Sequence, residues 1–350
     1  VAVLLLVYNL ALGLVEVALG VRAARSRRST DALILVGASA VGAFLFALVI
    51  AGGPGFRMLR LLSWGLFGHV VVSLVAAAVL TRRTRWMAAI FAACAIAGGS
   101  IGVYAFRIEP FMLEVSRYRI ETEKLDRPLR VAVLADFQSD EIGDYERRVI
   151  RTVAAQDADL ILMPGDYIQE PDPRKRDRLR IALRKVLRAE RFGAPLGAYA
   201  VQGNTEPPDW PATFDGLPVT AMTSMQNLSA GPLSITGLTL DESFDPRLEV
   251  PAADGFHIAF GHAPDFAQGD VNADLLVAGH THGGQVRLPF VGPLITLSSV
   301  PKDWAAGRTE LGGGRTLIVS RGTGMERQDA PRLRFLCRPE IVVIDLVPAP

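Results

Sequence analysis

Two regimes of hydrophobic patterning divide the chain near residue 109. Before that point apolar residues run on without a polar face. Val1–Gly20, Ala32–Gly52, Leu61–Leu80 and Trp86–Phe106 each approach the roughly 20 residues that a bilayer-spanning helix needs. A helix buried in a soluble bundle keeps a polar stripe at helical period, and ALILVGASAVGAFLFALVIAGG has none. The pattern predicts four transmembrane helices within 1–108. Val1 is itself apolar with no basic segment ahead of it, which reads as a span and not as a cleaved leader.

From residue 129 short β-branched runs alternate with charged, amphipathic ones. LRVAVLAD, DLILMPGD and GAYAVQGN read as strands, with YERRVIRTVAAQ and PRKRDRLRIALRKVLRAERFG as the helices between them. PLSITGLTL, FHIAFGH, DLLVAGH, RTLIVSRG and EIVVIDLV follow as strands with few helices between. A βαβαβ opening followed by such a series predicts two sheets flanked by helices, an α/β class distinct from a plain doubly wound sheet. Five of these strands end in a polar residue set among small ones: Asp136, Asp166 after Gly165, Asn204 after Gly203, His262 after Gly261 and His280 after Gly279. Ligands of α/β folds collect at the carboxyl ends of strands, so these side chains are expected to converge.

Composition sharpens this picture in three places. The hydrophobic fraction of 50% is high for a soluble protein, and the first region accounts for the excess. With 37 basic and 36 acidic residues there is no global field suited to nucleic acid. Cys94 falls in the fourth span and Cys337 in the large domain, so no disulfide forms within a domain. Arg22, Arg25, Arg27 and Arg28 occupy the first loop between spans, and Arg82, Arg83 and Arg85 the third. By the positive-inside rule these loops are cytoplasmic, which places both termini and the large domain on the outer face of the cytoplasmic membrane. Arg57, Arg60, Arg107, Arg117 and Arg119 count on the other side. The basic run from Arg174 to Arg191 reads as a solvated helix face, or as one lying against anionic head groups.

The chemistry-bearing residues in chain order are Asp136, Gln138, Asp166, Asn204, His262, His280 and His282. Oxygen and imidazole donors without thiolate suit a borderline divalent cation such as Mn²⁺, Fe²⁺ or Zn²⁺. Seven donors exceed one tetrahedral ion and match two ions sharing a carboxylate, for which Asp166 is the natural bridge. In GHTHGGQ, His280 and His282 can then each face a different ion, with glycines permitting the tight turn.

The order AD-x-Q, GD, GN-x-E, GH-x-P-D, GHTHGGQ resembles the calcineurin-like metallophosphoesterases, and the closing SRGTG and PRLRFLCRPEIVVIDL are similar to their membrane-associated bacterial branch. The resemblance implies a four-layer α/β/β/α sandwich over 109–350, preceded by the four-span helical region. It assigns Asp136, Asp166 and His282 to one ion and Asp166, Asn204, His262 and His280 to the other, with a bridging hydroxide as nucleophile. Asp166, Asn204, Thr205 and Glu206 become the candidate catalytic residues. Two positions depart from the family. Gln138 stands where a histidine is usual and is a neutral, weaker donor. Thr205 replaces a histidine near the scissile phosphate, and general acid catalysis is worth about 10²- to 10⁴-fold, so good leaving groups are favoured. Glu206 is the other candidate proton donor. The expected protein is a membrane-anchored phosphoesterase acting on a phosphomonoester, a phosphodiester or a lipid-linked phosphate. Its rivals are a degenerate metal-binding member with little turnover, and a four-span transporter. The transporter is disfavoured because Glu16 and His69 are the main ionisable residues inside the spans.

Overall fold

The computed structural model describes residues 2–26 and 28–349, so Val1 and Arg27 of the first basic loop lie outside the described residues. The chain divides into two compact units. One takes in the helices up to Ile108 together with Glu326–Arg332, and the other takes in Glu109–Met325 and the chain from Leu333 on.

In the first unit α1 (Ala2–Ser26), α2 (Ser29–Ala51), α3 (Phe56–Trp64), α4 (Val71–Leu80) and α5 (Arg85–Val103) build four long rods, because a π-helical turn at Gly65–Val70 joins α3 to α4. All four rods are long and apolar enough to cross a membrane. Helix α1 runs on through Arg22 and Arg25, so these two expected loop cations ride on its last turns. Leu14, Val49 and Ile96 face outward, at 72%, 75% and 70% exposure. Such an apolar exterior is costly in water and suited to lipid, at about 25 cal/mol per Å². Polar atoms turn inward instead. Glu16 accepts from Ser39, from Ser73 (3.3 Å) and from His69 Nδ1 (2.8 Å), while His69 Nε2 lies 3.0 Å from Asn9 Oδ1. Hydrogen-bonding groups in an apolar surrounding must find partners among themselves, and this network does so across three rods.

In the second unit β1 (Glu114–Thr122) pairs parallel with β16 (Glu340–Pro348), and β16 pairs antiparallel with β2 (Leu129–Val133). Next to β2, in parallel, come β3 (Leu160–Met163), β4 (Ala198–Ala200) and β5 (Thr220–Ala221). The second sheet runs in the order β14 (Gly307–Gly312), β15 (Arg315–Val319), β11 (Leu275–Ala278), β9 (Phe256–Phe260), β7 (Leu233–Gly237) and β6 (Gln226–Ala230). Two short ladders complete the unit, β8 (Glu249–Val250) with β10 (Asp270–Val271) and β12 (Arg287–Leu288) with β13 (Gly292–Pro293).

Period-two alternation places each central strand between two apolar layers. Val131 and Val133 of β2 join Ile258, Phe260 and Val277 in the core between the sheets, while Ala132 of β2 faces α6 (Asp144–Ala154) and α7 (Pro173–Ala189). Ala259, Leu276 and Leu317 face the opposite way, under Leu248, Phe266 and Val271. Burial on both faces explains why the central strands read as unbroken apolar runs. The result is the expected mixed α/β arrangement of two stacked sheets, with the fourth layer supplied by short helical turns such as Asp265–Gln268. Helix α7 begins at Asp172, whose side chain caps Arg174 N (2.9 Å), followed by Pro173 in the first turn. Its basic run is not uniformly solvated: Arg180 is buried and donates to Asp209 (2.8 and 3.0 Å), bracing the segment that follows β4.

Phe256 is 1% exposed in the inter-sheet core, whereas Ile181 on α7 is 47% exposed. Phe256→Ala is expected to cost about 3–5 kcal/mol in denaturant unfolding of the detergent-solubilised chain. Ile181→Ala should stay within about 0.5 kcal/mol. Similar losses for the two would contradict a core between the sheets.

Candidate metal centre

The two sheets deliver their chemistry at strand ends, as the residue order predicts. Asp136 and Asp166 follow β2 and β3 of the first sheet, and His262 and His280 follow β9 and β11 of the second. Asp136, Gln138, Asp166, His262, His280 and His282 are all buried. Five of them hold positive φ: Asp136 (46°), Gln138 (42°), Asp166 (57°), His280 (68°) and His282 (48°). That left-handed region is sparsely used by residues other than glycine and gathers at functional sites, where the surrounding structure must enforce it.

Asp136, Asp166 and His282 bring ligand atoms within 4.8 Å of one another. His262 Nε2 lies 3.6 Å from Asp166 Oδ1 and 3.2 Å from His280 Nδ1, and His262 Nδ1 lies 3.8 Å from Asp136 Oδ1. The remaining ring nitrogens are held from behind. His262 Nδ1 is 2.8 Å from the Pro164 carbonyl and His280 Nε2 is 3.0 Å from the Leu297 carbonyl. A carbonyl only accepts, so each of these nitrogens carries a proton, which leaves the lone pairs of His262 Nε2 and His280 Nδ1 directed at each other. Two lone pairs at 3.2 Å repel unless a cation or proton lies between them. A carbonyl that accepts from the far ring nitrogen and so fixes the tautomer of a ligating imidazole is the usual support of a metal-bound histidine.

Electrostatics point the same way. Burial, and next the charge of Asp166, hold the Asp136 carboxyl well above the usual carboxylate range, against the opposing pull of the His280 N–H and the Arg334 guanidinium. Burial pushes His262 down to about 4, against the Pro164 carbonyl, so its imidazole is neutral and able to ligate. Buried carboxyl groups beside imidazoles, that of His262 neutral, form a donor set that fits divalent cations.

The other predicted residues take different places. Gln138 is buried and its backbone N–H donates to the Asp166 carbonyl (2.7 Å), so it is stitched to the bridging candidate through the main chain. Asn204 lies in the turn after β4 with an exposed side chain, unlike the buried set. Thr205 donates from both N and Oγ1 to Asp166 Oδ1, each at 3.0 Å. Glu206, considered from sequence as a proton donor, has a positioning task. Its buried carboxylate accepts from the backbone N–H groups of Asp166 (2.9 Å), Tyr167, Ile168 (3.3 Å) and Gly203 (2.9 Å), clamping the Asp166 turn to the turn after β4. Burial, and then Asp166, push this carboxyl up to about 8, with the backbone donors opposing. Gly203 permits the approach: a Cβ there would meet Asp166 Oδ1 at 2.1 Å.

Residues beyond the motifs finish the wall. Arg334 is 0% exposed, donates to the carbonyls of Arg321 (2.7 Å), Gly324 (2.6 Å) and Cys337 (3.1 Å), and stands 3.4 Å from His282 Nδ1. Cys337 Sγ donates to the His282 carbonyl at 3.2 Å. Phe244 packs its ring edge-on to His280, 4.9 Å between centroids.

A family model described as calcineurin-like phosphoesterase matches residues 129–284. The uncharacterized metallophosphoesterase YkuE of Bacillus subtilis is 30% identical over 278 residues, covering 74% of this chain and 93% of that protein. The phosphodiesterase YaeI of Escherichia coli is 37% identical over 93 residues, 26% of this chain and 32% of its own. Among solved structures, a dimetal phosphatase from Danio rerio aligns at 12% identity and a TM-score of 0.35, covering 57% of this chain and 88% of that one.

If Glu206 works by holding the Asp166 turn, Glu206→Gln turns one acceptor oxygen into a donor facing N–H groups. Outer partners of metal ligands typically contribute about 10- to 100-fold in affinity, and Mn²⁺ binding measured by titration should weaken by that much. Unchanged affinity would show that the turn holds without the clamp.

Proposed function

The chain belongs to the calcineurin-like phosphoesterases, and from that premise we propose that it is a membrane-anchored enzyme hydrolysing phosphoesters with two divalent cations at the carboxyl ends of its two sheets. The family's activity makes it a phosphoester hydrolase, and the family's centre is dinuclear. The reading adds the anchor, the ligand set and the substrates. Residues 109–350 are the catalytic domain and 1–108 the anchor, with the catalytic domain on the outer face of the cytoplasmic membrane. The observation that carries the ligand assignment is the buried meeting of Asp136, Asp166 and His282 within 4.8 Å, with His262 closing on Asp166 from the second sheet.

Asp136, Asp166 and His282, with Gln138 beside them, would hold one cation, and Asp166, His262 and His280, with Asn204 swinging in from its turn, the other. Bound there, the pair supplies Lewis-acid polarisation of the phosphoryl group and lowers the pKa of water. Mn²⁺, Fe²⁺ and Zn²⁺ all suit the donors. The chain's own residues do the rest. The Pro164 and Leu297 carbonyls keep both imidazoles in the ligating tautomer. Thr205 donates its hydroxyl proton to Asp166, and both Glu206 carboxyl oxygens are turned to backbone N–H groups, so neither side chain is aimed at a departing alkoxide. Substrates whose leaving group departs without protonation are therefore favoured, such as an activated diester. The segment shared with a protein named a phosphodiesterase supports a diester among them. The same features support the second reading, a member that binds metal and turns over little.

With Mn²⁺, the full chain in detergent should hydrolyse bis(p-nitrophenyl) phosphate. Asp166→Ala should lower the rate about 10³-fold, the equivalent of several kcal/mol of lost charge stabilisation. Equal rates for the two proteins would leave the low-turnover reading standing.

Thr205→His supplies the missing acid. It should raise turnover of an alkyl phosphate by about tenfold or more and leave p-nitrophenyl phosphate nearly unchanged, because general acid catalysis matters most for poor leaving groups. Steady-state rates on the two esters check this, and a uniform effect would place the leaving-group proton elsewhere.

A further inference from the structure

The catalytic unit exposes ten large hydrophobic side chains among the described residues, and six of them fall within ten consecutive positions. Leu288 (38%), Phe290 (110%), Val291 (58%), Leu294 (46%), Ile295 (41%) and Leu297 (53%) share the hairpin of β12 and β13 and the strap that follows it. The ladder pairs Arg287 with Pro293 and Leu288 with Gly292, which thrusts Phe290 out at the tip. Phe290 and Leu297 hold φ of 66° and 53°, in the left-handed region that bulky residues avoid. A sequence free to relax would not retain so many apolar groups in water on a strained tip without something to cover them.

Charge and tether identify the cover. From Gly279 to Lys302 the chain has no acidic residue, and its only Lys or Arg residues are Arg287 and Lys302, flanking the apolar segment. Apolar tips between cations suit the acyl boundary of a membrane with anionic head groups. This chain also carries four helices long and apolar enough to cross a membrane. The hairpin is bound to the site at both ends. It leaves from the GHTHGGQ turn, the Leu297 carbonyl faces His280 Nε2 at 3.0 Å, and Ser298 and Ser299 donate to Asp265, three residues after His262.

We propose that Leu288–Leu297 is a bilayer-inserting hairpin at the rim of the metal centre, and that the substrate is a phosphoester carried on a lipid head group. Insertion brings the His280 side of the site to the level of the head groups, so the ester reaches it without leaving the bilayer. The substrate half rests on the phosphoesterase reading above; the insertion half does not.

The test uses the full chain with Cys94→Ser, reconstituted in vesicles of phosphatidylethanolamine and phosphatidylglycerol. A nitrobenzoxadiazole label is placed at Phe290→Cys in one protein and at Arg178→Cys, on the basic helix α7, in another. The hairpin label should emit to the blue and be quenched more strongly by acyl-chain doxyl lipid than the α7 label. Solvent-like emission at the hairpin, or stronger quenching at α7, overturns insertion. So does burial that vanishes as protein is diluted into lipid, which would mark a second copy as the cover. The rate ratio of vesicle-borne phosphatidate to soluble p-nitrophenyl phosphate should fall about tenfold or more in Phe290→Ser/Leu294→Ser, since each buried methylene strengthens interfacial binding. An unchanged ratio overturns the lipid substrate. A wild type silent on both esters defeats the phosphoesterase reading and the lipid substrate with it, while the quenching still decides insertion.

Discussion

Two carboxyl groups and two imidazoles, pressed together in a buried pocket, are not stable on their own account, and much of the catalytic unit holds them there. The charge of Asp166 adds to burial in raising the proton affinity of Asp136, and the ring nitrogens of His262 and His280 face one another at 3.2 Å. Every surrounding element resists the tendency of this group to fly apart. Backbone carbonyls pin both imidazoles from behind, Glu206 gathers the N–H groups of the Asp166 turn, and Arg334 adds a fixed positive charge inside a cage of carbonyls. The row of positive φ angles records the cost. Preorganisation of this kind is what a site needs if cations are to be gripped in one geometry throughout a reaction.

Much of this was legible in the sequence because it is local. Strand parity follows from period-two patterning, and a polar residue after a small one at a strand end marks where a side chain can face a ligand. Hence Asp136, Asp166, His262 and His280 read as strand-end residues from sequence alone, with His282 two positions further on in the same motif. What was hidden depends on distant partners. Nothing near Glu206 in sequence announces that its carboxylate belongs to the backbone of residues 166–168. Arg334 looks like any surface arginine until its carbonyl cage is seen, and Arg180 looks solvated until Asp209 arrives. Edge strand β1, EVSRYRIET, mixes charges into its alternation and lacks the apolar run that marks the central strands. The exposed placement of Asn204 is equally beyond a motif, which fixes order along the chain but not the set of a turn.

The helical unit obeys the same requirement with opposite surroundings. Its apolar groups face out and its few polar ones face in, so Glu16, His69, Asn9, Ser39 and Ser73 satisfy one another. The π turn that carries His69 is the sort of irregularity that re-aims a side chain in an otherwise regular helix. Both units thus concentrate polar chemistry where water is scarce, one to grip cations and the other to join helices.

The position of β16 sets the timetable of assembly. It lies between β1 and β2, and β1 has no other partner in its sheet, so residues more than two hundred apart must meet before the sheet closes. Pairings across such separations form slowly. Arg334, only six positions before β16, can reach its place behind His282 as that closing strand is threaded. A nascent chain therefore carries Asp136, Asp166, His262, His280 and His282 before the strand that closes the first sheet has been made.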